Sequence, residues 1–307
     1  MKSRKIGQFI KNNYTVKQKR NIAKKILDLT EKDAVNDFAN LQNIGCEKKK
    51  ALSQIGNDTV NYFTFVERLN TIGNKKLNFY DVWRNKNALA KKKYINNMLS
   101  FYKNRKTKYP EAKVWFRISN LYFSSISIFK PQIAMDIYCL YNATSILDFT
   151  MGWGGRLIGA CALNVPKYIG IDMNTNLKDP YKKMTNFLKK HSTTEIELYF
   201  QDALSLDYSK LDYDLVLTSP PYYNIETYGN DREKTKEEWE KSFYIPIFEK
   251  TFKHLKPGGH YCINIPNEVY ENVAVKILGS PFIKIPLPKS KRTSTENYNE
   301  FIYVWKK

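Results

Sequence analysis

Apolar residues follow two rhythms along this chain. In residues 15–40 and 87–104 they recur at helical spacing, with Ile22, Ile26, Leu27 and Leu29 in the first stretch and Leu89, Tyr94, Ile95, Met98 and Leu99 in the second. Lysines lie between them, and the spacing predicts amphipathic helices. From about residue 131 short apolar runs alternate with helical ones. Pro131 opens a helix to about Tyr141 at its first position. Residues 145–149 (Ser-Ile-Leu-Asp-Phe) read as a buried strand, followed by a Gly-rich turn and a helix over 156–163. Further strands are predicted at 167–172, 195–200, 213–219 and 260–265, with helices at 177–191 and 234–255, the latter stopped by Lys256-Pro257-Gly258-Gly259. Two more strand candidates lie near 283–285 and 301–305. Alternation of this kind specifies an α/β fold, a doubly wound parallel sheet with helices on both faces, whose ligands bind at the carboxyl ends of the strands.

The polar stretch 103–110 ends in Pro110 and is the candidate boundary between a mainly helical region, 1–110, and the α/β domain, 111–307. Charge also separates along the chain. Residues 1–125 hold 27 Lys+Arg against 9 Asp+Glu, and residues 126–307 hold 23 against 21, out of a net charge of +20. A basic module attached to a near-neutral catalytic domain suits a polyanionic partner, because Lys and Arg gain affinity by releasing counterions. A solvated basic surface has equal weight on charge alone. Aromatics interleave with basic residues at 78–84 and 101–106, where stacking on bases competes with core packing as their duty.

No run approaches the length of apolar chain that spans a bilayer, and Met1-Lys2-Ser3-Arg4-Lys5 leads into no signal-peptide segment. An intracellular protein is expected, in cytoplasm or nucleus, with a viral protein acting in its host as one form of it, and no membrane partner. Cys46, Cys139, Cys161 and Cys262 are far apart, with no CxxC pair. They read as reduced, mostly buried thiols, with neither a disulfide framework nor a metal site.

The first strand of the α/β region ends in Asp148-Phe149-Thr150-Met151-Gly152-Trp153-Gly154-Gly155-Arg156. Gly152 and Gly154 let the backbone turn tightly and approach a ligand, while the next helix presents its free N–H groups. Alone, such a turn suits any nucleotide-type cofactor. Asp172, at the end of the second strand, is placed for both ribose hydroxyls of a nucleoside. Asp202 follows the third strand, where its side chain or the amide of Ala203 reads an adenine. Singly, each acid is more often a helix cap or a turn residue.

Thr218-Ser219-Pro220-Pro221-Tyr222-Tyr223 ends the fourth strand. Paired prolines cannot continue a ladder, and they fix the backbone so that carbonyls point outward. A planar NH2 group needs acceptors in its plane before its nitrogen lone pair is available for in-line attack. Ser219 and the Pro220 carbonyl supply two such acceptors, and Tyr222 a flat face for a base. The competing reading is a rigid loop or a polyproline recognition segment.

With these residues in view, the chain resembles the class I S-adenosylmethionine-dependent methyltransferases, and within them the DNA amino-methyltransferases. The stretch 148–155 is similar to their first motif, Asp172 and Asp202 to the second and third, and Ser219, Pro220, Pro221 and Tyr222 to the catalytic fourth. Phe129-Lys130-Pro131 resembles the segment preceding the cofactor loop. The likeness covers roughly 125–307. It implies a seven-stranded Rossmann-like sheet with an antiparallel last strand at 301–305, and S-adenosylmethionine held by Asp148, Thr150, Met151, Gly152, Trp153, Gly154, Asp172, Met173, Asp202 and Ala203. It further implies methylation of a base flipped from its stack. Trp153 and Gly155 depart from the small polar residues usual in that loop and are closer to phage- and virus-type methylases.

Only 33 residues separate Ile265 from Asn299 and 10 separate Asp202 from Tyr213, so no target-recognition insert fits there. Base recognition falls to the basic N-terminal region, helped by the loop 223–229. No Pro-Cys dipeptide exists to supply a thiolate for cytosine C5 chemistry. Ser-Pro-Pro-Tyr resembles the cytosine-N4 enzymes, whereas adenine-N6 enzymes more often carry Asp or Asn first. DNA is favoured over RNA as the substrate. The alternatives are an RNA base methyltransferase, a methyltransferase of glutamine amides in release factors, and a non-catalytic nucleic-acid-binding subunit that keeps the fold.

Overall fold

In the computed structural model the described residues are 9–47, 54–73, 75–123, 126–223, 226–227, 234–287 and 300–307. The first residues of the chain and most of the loop 223–229 therefore lie outside them. Two compact units interleave along the sequence. The first takes the described residues of Met1–Thr30, Phe65–Ser127 and Ile225–Asp231, the second those of Glu31–Thr64, Ile128–Asn224 and Arg232–Lys307. The chain passes between them more than once, where the sequence pattern suggests one boundary near 110.

The first unit is helical. Val16–Ile26 starts with a capping box in which the Thr15 hydroxyl accepts from the Gln18 amide and the Gln18 side chain accepts from the Thr15 amide, satisfying two donors that a helix start leaves open. Phe79–Arg84 starts in the same way on Asn78 and Asp81. Asp81 is buried and also accepts from the Asn12 backbone and side chain, both at 2.8 Å, which ties the segment before the first helix onto this one. Ile22, Ile26, Leu69, Tyr80, Ile95, Trp115 and Ile118 form the core between Val16–Ile26, Phe79–Arg84, Lys93–Lys103 and Glu111–Tyr122. A two-residue ladder pairs Ile72–Gly73 with Glu226–Thr227.

The second unit is built on a sheet of seven strands among the described residues: β1 Ser145–Asp148, β2 Lys167–Ile171, β3 Glu195–Tyr199, β4 Leu215–Thr218, β5 His260–Ile265, β6 Ile283–Leu287 and β7 Glu300–Lys306. Their order is β3-β2-β1-β4-β5-β7-β6. The first five are parallel, and β7 runs antiparallel to both β5 and β6. This is the doubly wound, Rossmann-like architecture, with helices Pro131–Leu140, Gly155–Ala162, Lys178–Leu188 and Ile245–His254 packed around it. Strand order reverses between β1 and β4, where Leu147 lies opposite Val216, and such a switch point opens a crevice at the carboxyl ends. All four residues of β1 and of β4 are buried. Each large apolar side chain there contributes about 1.5–3 kcal/mol by leaving water.

Two features depart from the sequence pattern. The helical stretch after residue 234 is interrupted: Lys236–Trp239 leads into a π-turn, Glu240–Tyr244, before Ile245–His254. Pro246 follows directly; it has no N–H to donate and its ring crowds the preceding turn, so a wider turn sits just upstream. Second, Cys46 and Cys139 form a disulfide, correcting the reading of four reduced thiols. Their 93-residue separation hides the pairing in sequence; the fold brings the end of Glu31–Ile44 beside Pro131–Leu140. Cys161 and Cys262 are buried free thiols, and burial pushes Cys161 up to about 12.

Candidate active site

β1 delivers Asp148 into a site closed to solvent. Its Oδ1 accepts from the Thr218 hydroxyl at 2.9 Å, and its Oδ2 accepts from Arg156 Nε at 2.7 Å and Tyr168 OH at 2.6 Å. Arg156, also buried, reaches from the helix over the turn and donates a second bond to the Thr150 carbonyl at 2.5 Å. Burial opposes charge on Arg156, but the field and hydrogen bond of Asp148 outweigh it and hold the guanidinium protonated. The two side chains thus tie the end of β1 to the Gly-rich turn.

Gly152 and Gly154 have φ of 56° and 89°, which a side chain resists. Gly155 is needed for a different reason: a Cβ there would stand 1.9 Å from the Phe129 carbonyl oxygen. The segment before Pro131 and the first turn of the helix are in backbone contact, which accounts for Gly155 and for Phe129-Lys130-Pro131 together. Trp153 and Met151 are buried beneath the turn, and Tyr181 OH donates to the Gly152 carbonyl at 3.0 Å.

Asp172 follows β2. The Gly152 amide donates to its Oδ2 and the Asn174 amide to its Oδ1, each at 2.8 Å. Burial nevertheless pushes this carboxyl up to about 6. Each oxygen keeps a second lone pair for a hydroxyl donor. Met173 beside it is exposed. Asp202, after β3, is exposed and caps its own turn by accepting from the Leu204 amide at 2.9 Å, with Ala203 buried next to it. Asp172 and Asp202 lie at the same edge of the sheet as the turn.

β4 ends at Thr218, whose hydroxyl lies 2.6 Å from that of Thr150. The Gly-rich turn and the segment Ser219-Pro220-Pro221-Tyr222 are therefore joined side chain to side chain across the switch point. Ser219 donates to Asn264 Oδ1 at 3.1 Å, and the Tyr222 hydroxyl lies 2.7 Å from the same oxygen and 2.6 Å from Glu300 Oε1. Asn264 Nδ2 donates to the Phe301 carbonyl at 3.0 Å, which assigns the amide orientation: nitrogen toward β7, oxygen toward both hydroxyls. With its one proton given to Asn264, Ser219 Oγ is left with acceptor lone pairs. Tyr244, in the π-turn, donates to the Pro221 carbonyl and accepts from the Tyr223 amide at 3.1 Å, bracing a residue with φ of 50°. A helix that opens into a π-turn at a functional site is a recurrent arrangement.

Thr218 joins the two strand ends, through its bonds to Asp148 and Thr150; Gly152 bonds Asp172, Ser219 and Tyr222 bond Asn264, and Asp202 and Ala203 stand two strands away from β1. Sequence reasoning passed over Asn264, Glu300, Tyr244 and the bonding of Arg156. Asn264 carries a signal in the sequence, as the lone amide in the apolar run Tyr261-Cys262-Ile263-Asn264-Ile265. A buried polar residue inside a central strand requires partners. Glu300 and Tyr244 carry none, because β7 and the π-turn meet the site only in the folded chain.

A profile of the Eco57I restriction-modification methylase family matches residues 134–279, a span that takes in β1 to β5 and every residue from Asp148 to Tyr222. Among curated proteins, the uncharacterized protein YtxK of Bacillus subtilis (strain 168) is 28% identical over 132 residues, 42% of this chain and 39% of that protein. The match thus takes in about two fifths of that relative's length. Among solved structures, a rRNA methylase from Streptococcus thermophilus is similar over 59% of this chain and 99% of its own, at 16% identity and a TM-score of 0.38. TrmN from Thermus thermophilus is similar over 66% of this chain and 55% of its own, at 15% identity and a TM-score of 0.42. The family match and the Rossmann-like sheet support a methyltransferase with S-adenosylmethionine as its cofactor. Among the described residues no helix is long and apolar enough to cross a membrane.

Proposed function

We propose that this protein transfers a methyl group from S-adenosylmethionine to the exocyclic amino group of a base in DNA, with cytosine N4 favoured over adenine N6. One observation carries the reading: the pair Thr150 and Thr218, 2.6 Å apart, couples a glycine turn suited to a nucleoside to a proline-stiffened corner suited to a planar amine. The residues fit the cofactor. Asp172 would hold the ribose hydroxyls, the turn 150–154 the amino-acid portion, and Asp202 with Ala203 the adenine. Bound S-adenosylmethionine would supply an electrophilic methyl carbon and leave as the neutral thioether S-adenosylhomocysteine, with one amine proton passing to water.

The chain's own part is to hold the amine. Ser219 Oγ and the Pro220 carbonyl accept its two N–H bonds and so raise the electron density on the nitrogen. Tyr222 gives the base a face to lie against, its hydroxyl anchored by Asn264 and Glu300 so that the ring keeps one orientation. No protein nucleophile is needed. Holding the reacting groups in this geometry is the main source of rate, and the buried dipoles of Asn264 and Tyr244 stay fixed through the reaction.

Incubation with methyl-labelled S-adenosylmethionine and either DNA or RNA, followed by nucleoside mass spectrometry, tests this. N4-methylcytosine in DNA is the expected product. N6-methyladenine would move the target base, and label confined to RNA would change the polymer. Label found solely in protein, or in nothing, would overturn the proposal.

A further inference from the structure

We infer that the hairpin formed by Lys93–Lys103 and Glu111–Tyr122 carries a binding surface for single-stranded nucleic acid. Phe101, on the last turn of the first helix, leaves 53% of its surface exposed. The Arg105 guanidinium lies over its ring at 5.4 Å. Tyr102 meets Phe101 edge-on and Tyr109 meets Tyr102, and the Arg117 guanidinium stands over both tyrosines, 4.7 Å from the Tyr109 ring and 6.0 Å from that of Tyr102. Lys113 approaches Tyr109 at 5.8 Å. Rings and cations therefore alternate over one continuous patch.

The charge there is predominantly positive. Residues 86–117 contain ten Lys or Arg and a single acid, Glu111, which the Lys86 ammonium neutralises at 2.7 Å. Cations attracted to ring faces are held near the protein, where a phosphate meets them already placed. Phe101 meets Tyr102 at 74° and Tyr102 meets Tyr109 at 81°, so the rings form separate platforms instead of a closed stack. A strand with unpaired bases matches both halves of the pattern, its phosphates on the cations and its base faces on the rings. A duplex keeps its base faces covered and matches only the charge. The surface is thus sequence-tolerant, holding the strand without reading bases.

This deepens the proposed function and rests on it for the choice of nucleic acid as partner; binding is measured without cofactor or turnover. The full chain is titrated into a fluorescent single-stranded oligodeoxynucleotide and into a duplex of the same length, with anisotropy as the readout. Tighter binding of the single strand is expected. Phe101→Ala, at an exposed position, should weaken single-strand binding roughly ten- to hundredfold, with Phe101→Trp restoring it, and should leave duplex binding and the thermal midpoint unchanged. Arg117→Gln should weaken both and lower the salt dependence. Equal affinity for duplex and single strand, unchanged binding by Phe101→Ala, or binding of anionic lipid vesicles in place of the oligonucleotide would each overturn the inference. Single-strand binding with no methyl transfer to any substrate would remove the proposed activity and leave this surface standing.

Discussion

The Thr218 hydroxyl donates to Asp148 Oδ1 across 2.9 Å, joining the ends of two neighbouring parallel strands. Through this bond the cofactor turn and the proline corner share one buried carboxylate. Anything that moves Asp148 therefore moves both halves of the site.

Replacing Thr218 with Val keeps the shape and removes the donor. The loss of a hydrogen bond to a buried carboxylate should cost about 1.5–3 kcal/mol. Chemical denaturation should show that loss together with weaker cofactor binding and slower methyl transfer. Wild-type stability would mean that the bond contributes nothing.

Arg156→Met leaves Asp148 buried without its counter-charge, and a loss of about 3–5 kcal/mol is expected. The double variant Asp148→Asn/Arg156→Met should lose less than the two single changes added together, because the stranded charge is gone. Additive losses in a denaturation cycle would show the pair to be uncoupled.

Ser219→Ala and Tyr222→Ala should lower turnover far more than cofactor affinity, while Asp172→Ala should do the reverse. Asn264→Leu should resemble Ser219→Ala, by about tenfold or more in kcat, since it releases both hydroxyls at once. Calorimetry for the cofactor and labelled-methyl transfer for turnover separate the two effects. Equal effects on both quantities in all four variants would contradict the assignment.

Asp172 gives the cofactor site a pH dependence. Its carboxyl is raised from 3.8 to about 6, so the folded chain binds an extra proton between those values, and this group's contribution to stability falls as pH rises through that window. Ribose hydroxyls favour the ionised form. Cofactor affinity should thus rise through pH 6 and level off above it, changing by up to about tenfold per pH unit below 6. Asp172→Asn should flatten that profile, and an unchanged profile in the variant would place the titration elsewhere.

The Cys46–Cys139 disulfide closes a long loop, for which about 2–4 kcal/mol of stabilisation is typical. Mass spectrometry after alkylation of the unfolded chain should find two labelled thiols without reductant and four with it. Four in both would show the bridge to be absent under those conditions.

Much of this was written along the chain. Short continuous apolar runs against a periodicity of 3.6 mark strands and helices for the sheet half, because a sheet buried on both faces needs such runs and its helices need one apolar stripe. Glycines at positive φ and prolines at a strand end are local demands of backbone geometry, so Gly152, Gly154, Pro220 and Pro221 are legible without any neighbour. Contacts between distant segments are not. Gly155 answers to the carbonyl of Phe129, Asn264 to hydroxyls 45 and 42 residues away, and Cys46 to a thiol 93 residues away. Asp148 and Asp172 look alike as acids at strand ends, yet the fold surrounds the first with Arg156, Tyr168 and Thr218 and gives the second two backbone amides. Sequence determined which residue types stand at the carboxyl edge, because strand and turn propensities act over a few positions. Tertiary structure alone decided which of them bond to one another, because a buried polar atom is assigned by whatever partner packing brings within hydrogen-bonding distance.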